Sequence, residues 1–116
     1  MNELIKRLSA GNHPVEANRP DKEATALKER IDMNYVHILF KNTGTEVGIT
    51  LDKESCNFTD CDFYKGEGKA HLEGALTLNY DKVRCVAEID LKDMHGVGYL
   101  EPLDDAAYAK IVGQKQ

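Results

Sequence analysis

Apolar residues recur every three or four positions near the N-terminus and every second position from Tyr35 onward. The first period predicts helices, and the second predicts strands with one dry and one wet face. In NELIKRLSAG, Leu4, Ile5 and Leu8 set a short helix that Gly11 stops. NHPVEANRP carries two prolines and no apolar period, which predicts a linker or an extended arm. In PDKEATALKERIDM, Pro20 stands at a helix start with acids in the first turn. Ala24, Leu27 and Ile31 then make a narrow apolar stripe.

YVHILFKN alternates Val36, Ile38 and Phe40 with Tyr35, His37, Leu39 and Lys41. After the turn at NTGT, EVGITL alternates Val47, Ile49 and Leu51, so the two segments predict a hairpin. CNFTDCDFYKGEG predicts a less regular strand, with Cys61 and Phe63 on one side and Phe58, Asp60, Asp62 and Tyr64 on the other. Gly66 and Gly68 close it. The clearest pattern is HLEGALTLNYDKVRCVAEID. Leu72, Gly74, Leu76 and Leu78 share an apolar face with Val83, Cys85, Ala87 and Ile89, while His71, Glu73, Thr77, Arg84, Glu88 and Asp90 share the polar one. A last short strand, GVGYL, follows DMHG, and PLDDAAYAKIVG predicts a short helix with Ala107 and Ile111 inward.

Helices, then strands, then a helix make an α+β protein. The expected architecture is a pair of N-terminal helices, a five- or six-stranded antiparallel meander curled over a helix, and a short C-terminal helix. Residues 1–116 form one domain, with 1–19 a short helix plus an extended arm. Gly48 and Gly74, inside strands, predict bends where the sheet curls.

Composition narrows the function. At 116 residues, with 41% hydrophobic and 30% charged, the chain suffices for one ordinary core. Twenty acids against fifteen Lys and Arg give a net charge of −5, which argues against gripping the phosphate backbone of nucleic acids. The same balance favours a cationic protein partner. No window approaches the ~20 apolar residues of a membrane span, and the N-terminus lacks the apolar run of a signal peptide, so a cytoplasmic location is expected. Oligomeric state is not legible.

The polar face of the long hairpin raises a specific problem. With Tyr80 and Asp81 as a two-residue loop, Glu73 faces Glu88 and His71 faces Asp90, and like charges directly opposite weaken a ladder. A register two residues away would keep the faces and separate the glutamates. Such a group could bind a divalent metal, or hold a proton as a general acid. Its spacing is common, however, so the favoured reading is a solvated or partner-facing surface screened diagonally by Lys69, Arg84 or Lys92.

The cysteines Cys56, Cys61 and Cys85 lack CxxC spacing. Cys85 reads as core, and Asp60 and Asp62 disfavour a reactive thiolate at Cys61. His13 and His95 read as loop residues, whereas His37 shares a partly apolar face with Tyr35 and Leu39. No phosphate loop, GxSxG or HExxH occurs. No cofactor, metal or catalytic residue is assigned.

The sequence therefore favours a small acidic binding protein over an enzyme: an inhibitor, immunity factor or accessory subunit that docks His71, Glu73, Glu88 and Asp90 on a basic protein surface. The alternative is a small-ligand protein or small enzyme with an apolar pocket between sheet and helix, its polar handles being Tyr35, His37, Tyr64 and Tyr99.

Overall fold

The computed structural model describes residues 3–17 and 23–113. In chain order these form α1 (Glu3–Leu8), β1 (His13–Ala17), α2 (Ala24–Asp32), β2 (Tyr35–Phe40) and β3 (Thr45–Leu51). Then follow β4 (Cys61–Asp62), β5 (Glu67–Leu78), β6 (Asp81–Asp90), β7 (His95–Pro102) and α3 (Asp105–Val112). The helix expected from Pro20, with acids in its first turn, starts instead at Ala24 after Glu23 in extended backbone and has no acid in that turn; Pro20 itself lies outside the described residues.

The strands run β3-β2-β1-β7-β6-β5-β4, and β3 also pairs with β5. That extra pairing closes six strands into an antiparallel barrel, with β4 as a two-residue flap on β5. The chain is thus α+β, but a barrel replaces the expected meander curled over a helix. Barrel closure removes the exposed edges that an open sheet would have to protect.

Two features of the sequence bear on the closure. The first is the NHPVEANRP segment, read as a linker or arm, whose His13–Ala17 portion is a strand between β2 and β7. Pro14 is tolerated there because its carbonyl accepts from Lys41 N at 3.0 Å, just past the end of β2. The N–H that proline lacks would have faced the turn rather than a ladder partner. Val15 and Ala17 point into the core, and even Glu16 is buried. His13 and His95, read as loop residues, are the first residues of β1 and β7.

The second is Gly74. It pairs with Leu51 at the barrel seam, and a Cβ there would lie 2.6 Å from the Thr50 carbonyl oxygen. The glycine marks a close approach of two backbones, not a bend over a helix. Gly48 serves differently, because the Tyr35 side chain lies across it. An aromatic ring covering a strand glycine restores the packing that the missing side chain forgoes.

The alternating apolar residues do fill the barrel. Val36, Ile38, Phe40, Ile49, Leu51, Leu72, Cys85, Ile89 and Leu100 join one cluster that also takes Ile5 and Leu8 of α1 and Leu27 and Ile31 of α2. Each of those two helices contributes the stripe its spacing implied. In α3, Asp104 caps the first turn by accepting from Ala107 N at 2.7 Å, and Ile111 is its buried residue.

The irregular segment before β5 is mostly turns. Asn57 accepts from Thr59 N and Oγ1, and Asp62 accepts from Tyr64 N and Lys65 N, so side chains take donors that a strand would have paired. Phe58 and Phe63, assigned to opposite faces, pack edge to face at 5.8 Å. Among the described residues no helix is long and apolar enough to cross a membrane.

Candidate functional site

The β5–β6 hairpin turns on Asn79 and Tyr80, with Leu78 opposite Asp81. Both turn residues have positive φ, 50° and 73°, as a tight two-residue hairpin of this hand requires. The ladder is therefore displaced by two residues from the register built on a Tyr80-Asp81 loop. Glu73 faces Val86, His71 faces Glu88 and Lys69 faces Asp90. The glutamates do not confront each other, and every side chain keeps its expected face.

His71 lies between them. Its Nδ1 is 2.6 Å from Glu88 Oε1 and its Nε2 is 2.6 Å from Glu73 Oε2. An ionised carboxylate only accepts, so both ring nitrogens must donate, which is the imidazolium form. Burial alone would lower the pKa of His71. The hydrogen bonds to Glu73 and Glu88, together with their charges, outweigh it and hold the pKa above the ordinary histidine value.

Arg84 completes the arrangement. Its Nη1 donates to Glu73 Oε1 at 3.0 Å and to Asp52 Oδ2 at 3.2 Å, while its Nε lies 3.7 Å from Glu101 Oε1. Asp52 is buried and also accepts from Ser55 Oγ at 2.9 Å. Glu73 is thus shared by two cations, and Asp52 has its charge matched from β6. Of the basic residues considered as diagonal screens, the geometry selects Arg84. Its partner Asp52 escaped sequence reasoning, because it reaches the hairpin only through the β3–β5 closure. A glycine inside β5 was the one signal of that closure.

Of the four residues assigned to partner binding, the structure joins His71, Glu73 and Glu88 directly. Asp90 lies two residues from Glu88 on the same face and accepts from Lys92 N at 2.9 Å. Two open clefts border this face. One, about 510 Å³, is lined by Ser55, Asn57, Asp60, Lys69, His71 and Glu88. The other, about 360 Å³, shares Lys69 and Glu88 with it and adds Asp90, Asp93 and His95.

The four pocket handles are not brought together. Tyr35 and His37 stack edge to face at 5.2 Å on the outer side of β2, Tyr64 is 83% exposed beyond β4, and Tyr99 faces Val86 from β7. Among the described residues no group of three or more His, Cys, Asp or Glu is arranged to hold a metal ion. The thiols are quiet. Burial pushes Cys85 up to about 12, and burial also raises Cys56 and Cys61, with Asp60 and Asp62 adding to the latter.

The family model described as core binding factor beta subunit matches residues 2–115. The chain belongs to the core binding factor beta subunit family. No individual curated protein matches it. Core binding factor beta chains are subunits, so this chain is a protein-binding accessory subunit.

Proposed function

We propose that this accessory subunit docks on a basic surface of its protein partner through the acidic face of the β5–β6 hairpin, without touching nucleic acid itself. The partner proposed is a RUNX protein, whose DNA binding the subunit would strengthen. The observation that carries the surface assignment is the residual charge. His71 and Arg84 bring two positive charges to Asp52, Glu73, Glu88 and Glu101, and Asp60, Asp90 and Asp93 line the adjoining clefts beside Lys69 and His95. The clamp also holds Glu88 in place, so less side-chain freedom is lost when a cation meets it. A DNA-binding partner supplies lysines and arginines, and complementary fields raise association rate and fix orientation.

A second surface is favoured by one specific observation. Tyr80 is 98% exposed at a positive φ, a conformation that bulky residues rarely hold. Near this end of the barrel Tyr108 receives a hydrogen bond from Thr77 Oγ1 at 3.2 Å, and Tyr108 and Tyr35 line a cleft of about 380 Å³. Exposed tyrosines are common anchors in protein interfaces.

Association kinetics with the DNA-binding domain of a RUNX protein separate the two. Docking by the acidic face requires Glu88→Lys/Asp90→Lys to slow association roughly tenfold or more at low salt, with the deficit shrinking as salt is raised. Docking by the aromatic end requires that variant to behave as wild type and Tyr80→Gly/Tyr108→Ala to dissociate faster. His37→Ala provides the control for a ligand pocket, because His37 lines neither the acidic clefts nor the aromatic one.

A further inference from the structure

We propose that His71 is a proton-operated latch: with both ring nitrogens protonated it ties Glu73 to Glu88 across the hairpin, and with one proton gone it releases one of them and the acidic face gains a negative charge. The geometry fixes the two states. A neutral imidazole has one N–H, so it can donate to one of the carboxylates that lie 2.6 Å from its two nitrogens. The nitrogen that has lost its proton then confronts an acceptor with a lone pair, and that contact must open.

What the released carboxylate meets decides the consequence. Glu73 has a second tether, since its other oxygen accepts from Arg84 of β6, and Arg84 is held in turn by Asp52 and Glu101. Among the described residues Glu88 makes no second ion pair, and its side chain is 47% exposed. Glu88 is therefore the group that leaves. Around it stand Asp90 on β6, Lys69 on β5, Asp93 just before β7, His95 at its start, and Asp60 on the flanking loop; the Cys56 thiol meets the Glu73 backbone. Asp60 and Asp90 disfavour holding Glu88 close once the imidazolium charge is gone, and Lys69 is the cation left to meet it.

The latch also reaches the loop. The backbone of His71 exchanges two hydrogen bonds with Asn57, His71 N to Asn57 O at 2.9 Å and Asn57 N to His71 O at 3.0 Å. Ordering of residues 55–60 and of the Glu88 side chain thus meets at one residue. Protonation of that residue keeps the face compact and less negative; loss of the proton makes it more negative and looser. The bearing on partner docking rests on the acidic-face reading above, whereas the latch itself is read in the free subunit.

The test follows the His71 ring by NMR across pH in the full chain, beside thermal unfolding of wild type and His71→Gln. A latch requires His71 to titrate above the ordinary value of about 6.5, and requires Glu88→Gln to lower that midpoint. A raised native pKa stabilises fully below the unfolded value and is lost as pH rises through the native one. The wild-type advantage in Tm over His71→Gln should therefore be greatest below about pH 6.5, fall as pH rises toward the measured midpoint, and be lost above it. A midpoint at or below the ordinary value, or an advantage that does not change with pH, overturns the latch. No partner is present, so neither result depends on where docking occurs.

Discussion

Arg84 is the residue on which the acidic face depends. Its guanidinium pairs Asp52 and Glu73, both largely shielded from water, so truncating it takes one counter-charge from each. Arg84→Ala should cost about 2–4 kcal/mol in urea unfolding, near the range for breaking a buried pair from one side. Glu101→Gln should stay within about 0.5 kcal/mol, because that contact is long and half-exposed. Cys85 should resist iodoacetamide in the native protein and react on unfolding, as its thiol is wholly buried and pushed up to about 12. Sequence placed His71, Glu73, Glu88 and Arg84 on one face because period two admits no other sharing. It could not pair them correctly, since the pairing depends on which two residues turn. Asn79 favours a positive φ, whereas Tyr80 gives no such signal.

At the scale of elements, β3–β5 pairing is the weakest closure by length and the most demanding in shape. Only Thr50 with Ala75 and Leu51 with Gly74 register there, against ten pairs between β5 and β6. Gly74→Val should open the seam and cost about 3 kcal/mol or somewhat more, because the added atoms meet the Thr50 backbone rather than a movable side chain. Denaturant unfolding measures the loss, and amide exchange at Asp52, whose N–H is bound to the Glu73 carbonyl at 2.8 Å, should rise with it. The β2–β3 and β5–β6 hairpins and the apolar stripes of α1 and α2 were legible, since local alternation and spacing set them. The place of β1 was not. Its pairing joins residues 13–17 to residues 38–40 and 95–98, and a five-residue segment with a proline has too few alternations to announce a central strand. The segment from Cys56 to Tyr64 failed for the opposite reason: its apolar residues alternate, but Asn57 and Asp62 take the backbone donors into turns.

For the whole molecule, a net charge of −5 on a closed barrel leaves its surface as the functional part. The acids are not evenly spread in effect. Those around Arg84 and His71 are neutralised in part, while Asp60, Asp90 and Asp93 line two clefts that share Glu88. Complementarity of this kind acts over a Debye length, about 10 Å at 0.1 M salt, and so governs encounter more than residence. The most direct measurement is the association rate with the DNA-binding domain of a RUNX protein for wild type and Glu88→Lys/Asp90→Lys at low and moderate salt. Docking through the acidic face requires the variant to associate roughly tenfold or more slowly at low salt, and the two proteins to converge as salt rises. Equal rates at both salts, with the variant folded, would contradict it.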